Sequence, residues 1–165
     1  WFSSFPSLAG VGACSSALGK KMNATESYDR LIAEGANPIQ CFVHNRGASD
    51  DAVGLTKEGN QWKVFYTERG CDSPPMFTSE NESEAADYFY REISKQRHWH
   101  LVGFFENEGN AHALEEELKN IGITPIRNDI PSYKFVGDRR FRVFVVGADI
   151  FPTRAQIGNE PKTDT

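Results

Sequence analysis

Between Ser79 and Gly122 the hydrophobic period runs helical, then extended, then helical again, and this constrains the fold more than any other feature of the chain. Ala85, Ala86, Phe89 and Ile93 recur at spacings that share one helix face, so an amphipathic helix is predicted to about Gln96. Glu84, Asp87 and Arg91 then face out, and Tyr88 and Tyr90 flank the buried stripe. Ser79 and Glu82 fit the Ser-x-x-Glu capping box at its start. His98 to Phe105 is rich in aromatic and branched residues and reads as a strand. Glu108 to Ile121 reads as a second helix, with Ala111, Leu114, Leu118 and Ile121 inward, Glu115, Glu116 and Glu117 largely outward, and Gly122 as its stop. Two amphipathic helices bracketing a strand must bury their stripes on a sheet, which excludes all-α and all-β architectures.

The flanking segments supply the rest of that sheet. Asn23 to Ser27 offers a helix cap, and Tyr28, Leu31 and Ile32 mark a short helix stopped by Gly35 and Pro38. Ile39 to His44, Val53 to Thr56 and Trp62 to Thr67 read as a three-strand antiparallel meander, the last two joined through Gly59-Asn60. Ile123 to Arg127 is a strand edge, and Phe141 to Val146 the last strand. The expected fold is α+β: a mostly antiparallel sheet of about six strands with two main helices on one face. Residues 22–151 form that single domain, residues 1–21 a flexible leader and residues 152–165 a polar C-terminal tail. Trp62, Val64, Tyr66, Phe89, Ile93, Leu101, Phe104, Leu114, Leu118, Phe144 and Val146 are the expected core.

Composition agrees with one globular domain. The chain has 165 residues, of which 39% are hydrophobic and 25% charged, and twelve Phe, five Tyr and three Trp are too many rings for a disordered polymer. No apolar run approaches the ~18 residues a membrane span needs, so a soluble, cytoplasmic protein is expected. Cys14, Cys41 and Cys71 are odd in number and without CxxC spacing, which indicates neither a complete disulfide framework nor a zinc knuckle. Leu8 to Cys14 faintly resembles a lipoprotein cleavage box but lacks a basic region before it. The net charge is −5, and its distribution is uneven: from Glu80 to Glu117 ten acids face three bases. These acids are either solvated helix faces or a docking surface for a basic partner.

Motifs for chemistry are sparse. His98 and His100 lie two apart on a strand, a possible metal-ligand spacing, but no Cys or third His is near in sequence. His44 and His112 are the other two histidines, and a spatial acid–base pair among the four would make a small nuclease. No glycine-rich phosphate cradle and no Gly-x-Ser-x-Gly elbow occurs. Arg127, Lys134, Arg139, Arg140 and Arg142, with Phe141 and Phe144 as stacking rings, could contact nucleic acid, yet Asp129, Asp138 and Asp149 interleave with them. No metal, no cofactor and no catalytic group is assigned, and no direct nucleic-acid or membrane partner is expected. A His-dependent nuclease using His98, His100 and the Arg139 to Arg142 strand, or a nucleic-acid-binding module, is the alternative.

Trp62 to Gly70 followed by the acidic helix start Phe77 to Ala86 resembles small bacterial proteins that serve as immunity partners of polymorphic toxins, including those of contact-dependent inhibition. Val102 to Phe105, Arg127 to Pro131 and Phe141 to Gly147 add to that resemblance, which covers about Met22 to Phe151. The resemblance implies a non-enzymatic cytoplasmic inhibitor that binds and occludes a cognate toxin domain, often a nuclease with a basic cleft. For such a partner the acids Glu84, Asp87, Glu115, Glu116 and Glu117 are the expected contacts, with Tyr88 and Tyr90 as anchors, on two helices expected to pack side by side.

Overall fold

The computed structural model describes residues 21–44, 51–132 and 138–164. The proposed leader, Cys14 and Lys134 lie outside these residues, except that the leader's last residue, Lys21, is described as exposed. Helix α1 (Ala24–Ala33) opens on a full capping box, in which the Asn23 side chain accepts from the Glu26 amide and the Glu26 carboxylate accepts from the Asn23 amide. A first sheet follows from β1 (Cys41–Val43), β2 (Ala52–Glu58), β3 (Gln61–Glu68), β4 (Cys71–Asp72) and β5 (Phe77–Ser79). Helix α2 (Glu82–Ser94) packs on α1 and on this sheet. Val53, Leu55, Trp62 and Val64 from the strands meet Leu31, Phe89 and Ile93 from the helices, as the period-2 and period-3.6 patterns require.

The second sheet is built from β6 (Trp99–Phe105), β7 (Ile126–Arg127), β8 (Ile130–Pro131), β9 (Arg139–Val146) and β10 (Lys162–Thr163). Helix α3 (Glu108–Asn120) joins β6 to β7, and α4 (Ile150–Ile157), after a 3-10 turn at Gly147–Asp149, joins β9 to β10. The order across the sheet is β10-β6-β9-β7, with β10 parallel to β6 and the other pairs antiparallel. Apart from the short β8, the elements follow in the order βαββαβ, but β10 runs parallel to β6, which departs from the ferredoxin-like arrangement of that succession.

The α+β class holds, and three finer expectations are corrected. There are two mixed sheets instead of one mostly antiparallel sheet, since β1 runs parallel to β2 and β10 parallel to β6. There are four α-helices among the described residues: the short α1 and the two main helices that were expected, and α4, which was not. Residues 152–164 are no detached tail: α4 and β10 belong to the second sheet's layer, and Asp164 accepts from the amides of Glu106 and Asn107 and from Asn110 Nδ2. Lys162 and Thr163 pair through backbone hydrogen bonds, which carry no hydropathy signal.

The core is half as expected. Trp62, Val64, Phe89, Ile93, Leu114 and Leu118 are buried and Tyr66 is half-buried. In β6 and β9, however, the inward residues are Val102, Phe105, Val143 and Val145, whereas Leu101 is 37% exposed and Phe104, Phe144 and Val146 are half-buried on the other face. A bulge between Leu101 and Gly103 shifts the register, so Phe105 and not Phe104 points inward past it. The cap of α2 also differs. Asn81 is the N-cap, Ser79 Oγ donates to the Glu84 carboxylate, and Glu82 reaches across to accept from the Ala24 amide at 3.0 Å. Ile121, expected inward, is 40% exposed beyond the end of α3.

The two layers meet at one tight junction. Gly35 follows α1 at φ +95°, and a Cβ placed there would lie 2.3 Å from the Ala148 nitrogen. Its carbonyl accepts from His100 Nε2 at 2.9 Å. His98 bonds the Ile93 carbonyl through Nε2 and Gln40 through Nδ1, both at 3.0 Å, and Asn37 Nδ2 donates to the Trp99 carbonyl. Both contacts of the His98 ring are to oxygens, the Ile93 carbonyl and Gln40 Oε1.

Candidate partner-binding face

Glu84, Asp87 and Tyr90 border one shallow depression of about 410 Å³ on α2, together with Phe77 and Arg91. Glu84 and Asp87 are one turn apart and therefore neighbours on the helix surface. Behind them Phe77 of β5 stacks on Tyr88, with ring centroids 4.7 Å apart and planes 11° from parallel. Tyr88 thus supports this face through Phe77; both rings are half-buried, and Phe77 lines the depression.

The two carboxylates are not ion-paired, although Arg91 lies beside them with its Nε donating to the Asp87 carbonyl. Glu84 is held by the neutral Ser79 hydroxyl at 2.8 Å and by Asn81 Nδ2, and no ion pair forms to Asp87 among the described residues. Tyr90 is fixed from α1: its hydroxyl donates to Glu34 Oε2 at 2.6 Å, and the Arg30 guanidinium lies 4.6 Å above its ring while also pairing with Glu34. The Tyr90 hydroxyl and then Arg30 hold the Glu34 carboxyl below its usual range, and the same bond pushes the Tyr90 phenol up. Arg30 and Glu34 escaped the sequence reading, although their i, i+4 spacing is a recognisable pairing signal.

The α3 acids are placed differently. α3 packs on β6 and β9 of the second sheet, while α2 packs on the first, so the two acidic helices do not lie side by side on one sheet. Glu115 is largely buried, 3.3 Å from Arg127 Nη1 and 2.9 Å from His112 Nδ1. Glu116 pairs with Lys119, and Glu117 pairs with Lys162 of β10 at 2.7 Å. These lysines hold both carboxyls below their usual range. Arg127 also bonds Asp129 at 2.6 Å and stacks over Phe141, so the α3 acids belong to a neutralised surface network.

The residues of the alternative nuclease reading are separated. His98 and His100 are 7% and 5% exposed, and both rings bond backbone carbonyls at the junction. His100 faces the helix side of its sheet, whereas Arg140 and Arg142 occupy alternate positions on the far face. Burial holds the His100 imidazole below its usual pKa. Exposed His44 contacts Thr25 and Trp62, and exposed His112 sits between Glu108 and Glu115. No group of three or more His, Cys, Asp or Glu is arranged to hold a metal among the described residues. Among these residues no helix is long and apolar enough to cross a membrane. The chain matches no protein-family model, no curated protein and no solved structure.

Proposed function

We propose that this chain is a toxin-neutralising binding protein, the immunity partner of a polymorphic-toxin domain, acting in the cytoplasm by occlusion and not by chemistry of its own. The observation that carries this reading is the α2 depression, where Glu84 and Asp87, neither in an ion pair among the described residues, border the Phe77 and Tyr90 rings, with Arg91 at the edge bonded to the Asp87 carbonyl. That combination suits a basic protein surface: the charges accelerate encounter, and desolvated rings slow dissociation. A nuclease cleft, basic because it holds a polyanion, is the partner of this chemistry. Of the acids expected at the contact, Glu84 and Asp87 fit the role, while Glu115, Glu116 and Glu117 are already neutralised by Arg127, Lys119 and Lys162.

The test begins with affinity capture from the native host and expression of any stoichiometric basic protein in a naive host. Co-expression of the wild-type chain is expected to relieve its toxicity. Combined Glu84→Lys and Asp87→Lys substitution should slow association about tenfold at low salt, with the difference shrinking at high salt. Glu115→Lys, Glu116→Lys and Glu117→Lys together should have a smaller effect. Toxicity unrelieved by the wild-type chain, or an α2 variant that associates as fast with the same salt dependence, would refute the reading.

A further inference from the structure

The second sheet has a face turned away from α3, and the register shows what it carries. In β9, Arg140, Arg142, Phe144 and Val146 alternate with Val143 and Val145, which lie in the helix-side core. Across the sheet Val146 is opposite Trp99, Phe144 opposite Leu101 and Ile126, and Arg142 opposite Phe104. Paired residues point to the same side, so these side chains form one apolar strip with arginines at its ends. Leu101 is 37% exposed and the rings are half-buried, so the strip is partly open to water.

Two guanidiniums lie on the rings. Arg142 is 5.4 Å from the Phe144 centroid, Arg97 is 5.9 Å from that of Trp99, and the two rings are 5.5 Å apart. Arg142 donates only to the Asn128 carbonyl and Asn128 Oδ1, both neutral, and neither Arg97 nor Arg142 has an acidic partner among the described residues. Arg140, by contrast, is paired with Glu106 at 2.7 Å. A chain of net charge −5 therefore keeps uncompensated positive charge on one aromatic face, opposite in sign to the α2 depression.

We propose that this face binds a single-stranded nucleic acid, with bases stacking on Trp99 and Phe144 where the guanidiniums now lie and the guanidiniums turning to phosphates. Flat apolar planes linked by anionic groups match both halves of the surface, since every base has a face to stack and every nucleotide a phosphate. A duplex hides its base faces, and a symmetric second copy would set Arg97 and Arg142 against their own kind. The proposal is independent of the toxin reading, which concerns α2.

The experiment titrates the full chain against fluorescein-labelled oligouridylate and oligothymidylate of about 12 nucleotides at about 50 mM salt, where phosphate contacts are strongest. Saturable anisotropy with quenching of Trp99 emission is expected, and the two oligomers distinguish RNA from DNA. Trp99→Leu should weaken binding about tenfold and Trp99→Tyr restore most of it, since the lost quantity is stacking. Arg97→Gln with Arg142→Gln should lower the slope of log affinity against log salt by about 1.4 in magnitude, at ~0.7 per phosphate. This pair keeps the test valid if Trp99→Leu does not fold. No saturation by about 100 μM, far weaker than the phosphate contacts predict, overturns the proposal. So does equal binding of a duplex or of polyglutamate, or indifference to the arginine pair. Sedimentation showing self-association that Trp99→Leu abolishes would assign the face to a second copy and overturn it too.

Discussion

Replacing Gly35 by alanine tests whether the two sheets fold as one cooperative unit through their junction. The new Cβ would fall 2.3 Å from both the Ala148 nitrogen and the Gly147 carbonyl carbon, which are backbone atoms and cannot rotate away. Its φ of +95° adds a left-handed penalty of ~1–2 kcal/mol, and overpacking against fixed neighbours typically adds ~1–3 kcal/mol. The expected loss is therefore about 2–5 kcal/mol, or roughly 5–15 °C in Tm for a chain of this length. Gly122→Ala isolates the backbone part, because Gly122 has φ +82° and nothing within 4 Å of its ideal Cβ. Urea denaturation of both variants, followed by tryptophan fluorescence and by far-ultraviolet circular dichroism, gives the comparison. Equal losses for Gly35→Ala and Gly122→Ala would show that the Gly35–Ala148 approach is not a structural constraint, and the junction described here would be wrong.

The direction of the second sheet is checked by Leu118→Ala against Leu101→Ala. The first empties a fully buried site and should cost about 2–5 kcal/mol, while the second, at 37% exposure, should cost under about 1 kcal/mol. Thermal melts giving the reverse order would sink the inward and outward assignment. The pH dependence of stability follows from His100, whose imidazole burial holds below its usual range. Its neutral form is favoured in the folded state, so the contribution is present above the unfolded value of ~6.5 and is lost as pH falls through it toward the folded value. Denaturation midpoints should drop from pH 7 to pH 5 by more in the wild type than in His100→Gln, and identical profiles would refute it. The carboxyls of Glu34, Glu117 and Asp164 are held low and act in a separate window, at or below their unfolded values of ~4.

Local signals in the sequence were enough to place several elements. The stripes Ala85–Ala86–Phe89–Ile93 and Ala111–Leu114–Leu118 locate α2 and α3 within a residue or two of their observed bounds, because helix period and burial are set by nearest neighbours along the chain. The Asn23 cap is equally local. In β9 the facing differs from the expectation that Phe144 and Val146 point inward, although Arg140 and Arg142 share their parity and mark that side as the outward one.

The α+β class, the helix stripes and the acid-rich central segment were thus determined by the sequence alone, since each depends on residues a few positions apart. Tertiary structure decided what depends on distant partners. The parallel pairing of Lys162 and Thr163 with β6 rests on backbone hydrogen bonds between residues some 60 positions apart, which side-chain pattern does not encode. The bulge between Leu101 and Gly103 reverses the facing of Phe104 and Phe105 without altering their hydropathy. The fate of the acids was decided the same way. Glu115, Glu116 and Glu117 look like a free anionic run in sequence, but Arg127 and Lys162 neutralise two of them from other strands, and Lys119 the third from its own helix. Glu84 and Asp87 stay outside any ion pair among the described residues: Glu84 meets the Ser79 hydroxyl and the Asn81 amide, and Arg91, which borders the same depression, bonds the Asp87 backbone carbonyl and not its carboxylate. Charge is countable along a chain, whereas its compensation is a matter of distance in space.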